Sequence, residues 1–257
     1  MGKTSFVLAL FLLPVAMLAA DVQGTVETQQ RQLTVFTDDV VMPQIADGDG
    51  WKTSIIFVNL SDSFAEFNVF FYNGDGGPMF LPWVGIGTFS VLRVSIPING
   101  SVIVETTGTS SFLAQGYAVM DTSQRIGGQA IFRRLVPSLP EAEAVVPFSS
   151  QLLRRYVLPF THIAGFRTGV AIVNTATTNI SITLTIRDQD GFIIQSTSIT
   201  ANFAGHGAFM FDDVYPLTRN RRGTIEFNSS GTFSILGLRG SPTGTLTTLF
   251  PLDSPLW

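Results

Sequence analysis

The residues of this chain that could do chemistry are two histidines, a few spaced carboxylates, three acidic glycine turns, a group of aromatics and a basic run. A Ser-His-Asp relay needs a histidine within reach of a serine and a carboxylate. Only His162 and His206 are on offer, without a G-x-S-x-G elbow, and we read both as loop residues. Paired carboxylates could cleave a glycosidic bond as acid and base. The candidates are Glu105, Glu226, Asp212 and Asp213, of which Asp212-Asp213 reads as a solvated turn and Glu226 as an exposed or edge-strand group. With no cysteine, thiol catalysis, disulfides and cysteine-based zinc sites are excluded.

Oxygen ligands cluster in DGDG (Asp47 to Gly50), NGDGG (Asn73 to Gly77) and DQDG (Asp188 to Gly191). Calcium is therefore weighed at Asp47 and Asp49 or at Asp188 and Asp190. None completes a D-x-[DN]-x-[DN]-G loop with its distal glutamate, so hairpin turns are the preferred reading and no cofactor is expected. Surface recognition remains. Trp51, Tyr72, Phe80 and Trp83 could furnish an aromatic platform for sugar rings, with Trp83 in FLPWVGIG as the exposed anchor and Trp51 as core. Arg219, Arg221 and Arg222 in RNRRG could meet acidic polysaccharide or lipid headgroups, and Asp47 and Asp49 complete this candidate ligand surface.

The elements that must carry these groups are short. Over 257 residues, 45% are hydrophobic and only 13% charged, which suits a β-rich protein with a hydroxylated polar face. A formal net charge of −4 gives no attraction for phosphate backbones, so nucleic acid is not expected as a partner. Lys3, the apolar run Phe6 to Leu18 and Ala19-Ala20 form a signal peptide over residues 1–20. Its apolar run is too short for a bilayer span, which takes about 20 residues. The mature protein is expected to be exported, with no membrane span. Residues 21–31 read as a flexible lead-in. Beyond them, runs rich in Val, Ile, Phe and Thr alternate with Gly, Asn, Asp or Pro, the pattern of antiparallel all-β architecture.

GWKTSIIFVN (Gly50 to Asn59) returns as GFRTGVAIVN (Gly165 to Asn174), and Asp75-Gly76 returns as Asp190-Gly191, both 115 positions on. VMP at Val41 to Pro43 precedes the first copy as VLP at Val157 to Pro159 precedes the second. Two further landmarks follow: Gly100 to Gly108 against Gly223 to Gly231, and the stretch around Gly116 against that around Gly237. The expectation is two tandem antiparallel β-sandwich (immunoglobulin-like) domains related by internal duplication, spanning 32–140 and 141–257, with PSLPEAEA (Pro137 to Ala144) as linker.

The order G-W/F-x-T, V-N, D-G hairpin, G-x-x-E/F strand and G-L-R or G-Y-A strand resembles a repeat of secreted proteins from environmental bacteria. Such proteins often carry immunoglobulin-like or fibronectin-like modules as well. The resemblance implies an extracellular β-sandwich and brings no catalytic residue with it. The expected function is a non-enzymatic structural, adhesive or binding module at or outside the bacterial surface, in the periplasm or beyond. Its partner would be a cell-surface polysaccharide or another extracellular protein. A carbohydrate-binding module is the alternative and a secreted hydrolase the third reading.

Overall fold

The computed structural model describes residues 19–25, 40–150 and 152–253. The expected signal peptide therefore lies outside the described residues, apart from Ala19 and Ala20. The chain is all-β and its sheets are antiparallel. Its strands are β1 (Asp21–Thr25), β2 (Val40–Asp47), β3 (Trp51–Asn59), β4 (Ala65–Asn73), β5 (Leu81–Trp83), β6 (Gly87–Phe89), β7 (Val91–Ile96), β8 (Ser101–Glu105), β9 (Ala114–Asp121), β10 (Ile126–Arg134) and β11 (Ala142–Pro147). There follow β12 (Leu153–Thr161), β13 (Arg167–Asn174), β14 (Ile180–Asp188), β15 (Ile193–Ala201), β16 (His206–Met210), the short helix α1 (Phe211–Val214), β17 (Arg222–Gly240), β18 (Leu246–Leu249) and β19 (Leu252–Asp253). No helix among the described residues is long and apolar enough to cross a membrane.

Alternation of apolar and hydroxyl residues makes the strands. In β14, Ile180, Ile182, Leu184 and Ile186 are buried while Ser181 and Thr183 face water. Asp75-Gly76 and Asp190-Gly191 lie in matching turns. The amide nitrogens of Gly76 and Gly191 donate to the carbonyls of Asn73 and Asp188, each at 3.1 Å.

Two sheets, ordered β1-β7-β4-β9-β2 and β11-β10-β3-β8, share one core in the first half of the chain. Phe67, Phe71 and Met120 from one meet Phe57, Phe132 and Val146 from the other. In the second half, β15-β14-β17-β12-β19 is continuous with a β18-β17-β13-β16 arm because the 19-residue β17 runs through both. Its first part pairs with β12 and β14, its second with β13 and β18. Substituting β7, β4, β9 and β2 by β15, β14, early β17 and β12, and β11, β10, β3 and β8 by β18, late β17, β13 and β16, leaves the neighbour relations unchanged.

That pairing corrects the later landmarks. Residues 101–105 form β8 and pair with β3, whereas 223–229 pair with β14, so these stretches do not occupy equivalent places. Gly223 stands opposite Asp188 as Gly116 stands opposite Asn73. The stretch around Gly237 pairs with β13 as β10 pairs with β3, and so corresponds to β10 and not to the residues around Gly116.

Two boundaries also shift. Asp21–Thr25, expected as part of a loose lead-in, pairs with β7 along the sheet edge. Ala142–Ala144, expected as linker, belongs to β11, which pairs with β10 from Ala142 to Pro147. Ala142, Ala144 and Val146 point inward while Glu143 and Val145 point out, an alternation that small residues disguise.

Trp83 requires a larger correction. It is 2% exposed, its ring packs 4.8 Å from that of Phe71, and its indole N–H donates to the Phe89 carbonyl at 3.3 Å. The β5–β6 hairpin has no counterpart between β14 and β15 and lays Trp83 against Thr106 at the end of β8. A residue in an extra loop reads as exposed, but here the loop folds over the core. Trp83→Phe should lower stability by about 2 kcal/mol, through lost volume and a lost hydrogen bond. A urea titration checks this.

Candidate functional site

Most of the residues singled out for chemistry have a structural partner or a place in the core, whereas Phe80 and Arg221 stay exposed. Glu105 accepts from the Ser54 hydroxyl at 2.6 Å and from Lys52 at 2.9 Å, with Arg133 3.6 Å away. The Ser54 hydrogen bond and then Lys52 hold its carboxyl below the usual range, the reverse of what a glycosidase acid requires. Glu226 is paired with Arg155 at 2.9 Å. Asp212 receives a two-pronged contact from Arg167, which also reaches Asp213 at 2.6 Å. Among the described residues no three His, Asp or Glu side chains group as metal ligands.

The acidic turns are accounted for by backbone geometry. Asp49 and Gly50 both adopt positive φ (49° and 80°) in a two-residue hairpin closed between Gly48 and Trp51. Ala164 and Gly165 adopt the same conformation (52° and 78°) without a carboxylate. Asp47 Oδ1 accepts from the Gly108 amide at 2.8 Å and so ties down the loop after β8. Asp188 Oδ1 accepts from the amides of Asp190 and Phe192, and Asn73 Oδ1 accepts identically from Asp75 and Gly77, all at 3.0 Å. An uncharged amide does the same work, so turn closure explains the carboxylate.

The expected ligand surface is dispersed. Tyr72 and Trp83 are buried and unable to present a platform, while Phe80 remains 49% exposed. Arg219 donates to the Asp212 carbonyl, Arg222 to Gln189 Oε1, and Arg221 is a solvent-facing neighbour whose carbonyl accepts from the His162 amide. His162 lies in the loop that follows β12, as expected, but is buried there at 6% exposure. Its Nδ1 lies 3.0 Å from the Thr218 hydroxyl, which itself donates to the Tyr215 carbonyl, so Nδ1 carries the proton. Burial between Phe160 and Phe211 pushes its pKa down.

What the sequence did not show is the junction between the halves. Tyr72 stacks on Tyr117, and Tyr117 on His206, at centroid distances of 5.2 and 6.2 Å. The Tyr117 hydroxyl donates to the Ala204 carbonyl at 3.0 Å, and the His206 amide to the Gly74 carbonyl at 2.9 Å. Val41, Val119 and Val173 complete this apolar seam. His206 Nε2 and Gln44 Oε1 lie 2.8 Å apart.

Burial lowers the His206 pKa to about 4, against the opposing pull of the Pro43 carbonyl. Between pH 6.5 and 4 the unfolded chain therefore binds a proton that the folded chain refuses. Stability is full above pH 6.5 and declines as pH falls, by on the order of 3 kcal/mol from this residue. Urea midpoints at pH 7 and pH 4 should differ less in His206→Gln than in the parent protein.

Beside this seam lies a cleft of about 300 Å³. Trp51 and Arg134 form one rim, opposite each other on β3 and β10, with the guanidinium 5.3 Å from the ring centroid. Gln44 and Gln115 add two amides, and Met210, Leu238 and Leu246 an apolar floor. No Asp or Glu lines it. Comparison with protein-family models, curated proteins and solved structures gives no match.

Proposed function

We propose that this protein is a non-enzymatic, exported binding or adhesive module at or outside a bacterial cell surface, built from two tandem immunoglobulin-like β-sandwich units that arose by duplication. One observation carries the reading. Both halves place a buried threonine and a buried asparagine at equivalent points and use them for the same backbone contacts. The Thr53 hydroxyl accepts from the Ala46 amide at 3.4 Å as the Thr168 hydroxyl accepts from the Thr161 amide at 3.2 Å. Asn59 and Asn174 each donate to three carbonyls. Ionisable groups are spent on holding loops and strands, which supports a scaffold that binds rather than one that turns over a substrate.

The seam of Tyr72, Tyr117 and His206 supports a fixed arrangement of the units. The carbohydrate-binding alternative loses the residue that favoured it, since Trp83 lies inside. The test is a pull-down and glycan screen with the protein from about residue 21. Retention of an extracellular protein or polysaccharide is the expected result. Turnover that survives purification and vanishes on mutating one carboxylate would overturn the non-enzymatic reading.

A further inference from the structure

We propose that the cleft between the halves binds a small apolar carboxylate, with its hydrocarbon body on Met210, Leu238 and Leu246 and its carboxylate on Arg134. This rests on the binding-module reading and names the ligand chemistry of one site within it. The cleft exists because four outward positions on β13, β16 and β17 are small: Gly169, Ala171, Ala208 and Gly240. By strand pairing, the first half has Ser54, Ile56, Ile103 and Arg133 in the corresponding places. Protein interiors are close-packed, and side chains of that size would close the junction. The space left, about 300 Å³, stands at the small end of ligand pockets.

The lining chooses the chemistry. It holds one cation and no anion, so a negative ligand is favoured. Arg133, Arg155 and Arg167 each have a carboxylate partner, but Arg134 has none among the described residues. The contact with the Trp51 ring, 5.3 Å from guanidinium carbon to ring centroid, is not a hydrogen bond to a carboxylate, so a planar carboxylate can take that place. Gln44, 6% exposed, has its carbonyl engaged by His206, and its amide NH₂ has no partner among the described residues. That group is a second donor for the carboxylate or for an adjoining amide. A neutral sugar would leave hydroxyls unpaired against the apolar floor.

A free acid and the C-terminal residue of a peptide share this chemistry, and calorimetry with the full chain at pH 7 separates them. The probes are N-acetyl-leucine, N-acetyl-leucinamide, hexanoate and 3-phenylpropionate. At least one carboxylate should bind, and N-acetyl-leucinamide at least tenfold more weakly than N-acetyl-leucine. Binding of N-acetyl-leucine alone identifies a peptide terminus, and equal or tighter binding of the simple acids identifies a free acid. Arg134→Gln should weaken binding at least tenfold. Gly240→Leu should abolish it with melting unchanged, since a Cβ there meets nothing closer than the Arg167 carbonyl oxygen at 4.0 Å. Equal binding of acid and amide, unchanged binding by Gly240→Leu, or no binding of any probe overturns the proposal. If no probe binds while the pull-down still retains a partner, the binding-module reading survives and only this site falls.

Discussion

Asn174→Ala should destabilise the protein by about 4 kcal/mol, and Asn59→Ala by a similar amount. Both side chains are buried, at 0% and 1% exposure. The Asn174 amide nitrogen donates to the carbonyls of Thr178, Ala201 and Asn202 at 2.8 to 3.0 Å, while its oxygen accepts from the Ala176 amide at 2.9 Å. Asn59 repeats the pattern with Ser63, Ile96, Pro97 and the Ser61 amide. Each asparagine thus joins the end of its strand to the turn that follows and to the loop arriving from a distant strand. Alanine removes four partners and leaves backbone groups unpaired at a buried place, where each costs about 1 to 3 kcal/mol unless water reaches it. Aspartate should be worse than alanine, because a carboxylate aims negative oxygens at three carbonyls and cannot donate to them. Equilibrium urea unfolding of the alanine and aspartate variants at each position checks this. A loss below about 1 kcal/mol for alanine would mean that the amide is not the clamp described. The same burial argues that Asn59, although in an N-x-S sequon, keeps its amide nitrogen engaged within the fold.

Those asparagines also show what can be read from the residues alone. Thr53, Thr168, Asn59 and Asn174 stand out because their side chains bond to the backbone, a task few other residues can do, so spacing and identity survive together. The D-G turns are legible for the same reason. The later landmarks mislead because strands that alternate apolar and hydroxyl residues resemble one another at any even shift. Only the partner strand decides that β8 answers to β16 and early β17 to β9. Trp83 misleads because burial of an inserted hairpin depends on what it folds against. The cleft was invisible: Gln44, Trp51, Gln115, Arg134, Met210 and Gly240 come from distant segments, and its small residues signify something only once the opposite wall is in place. His206 reads as an ordinary loop histidine until Gln44 and Tyr117 are brought beside it.

Gly116→Ala and Gly223→Ala should each cost about 4 kcal/mol or more, and the two together form the sharpest test of the corrected correspondence. Gly116 faces Asn73 across β9 and β4, and Gly223 faces Asp188 across β17 and β14. A Cβ on Gly116 would lie inside the van der Waals surface of the Tyr72 carbonyl oxygen, and a Cβ on Gly223 inside that of Arg187. The obstacle is backbone in a central strand pair, so no rotamer change relieves it. The strands must separate there, losing ladder hydrogen bonds and the packing beneath them. Between the two sites the side-chain surroundings differ, with Tyr72 and Tyr117 at the junction of the halves and Arg187 and Thr224 in the matching positions. Similar penalties would therefore come from the shared backbone approach and not from shared neighbours. Gly237, which shares its letter with Gly116 but not its place, meets the flexible Leu158 side chain at 2.8 Å and should tolerate alanine better. Thermal and urea unfolding of the three variants decide the matter. If Gly237→Ala tracks Gly116→Ala while Gly223→Ala is mild, the strand correspondence drawn from pairing is wrong.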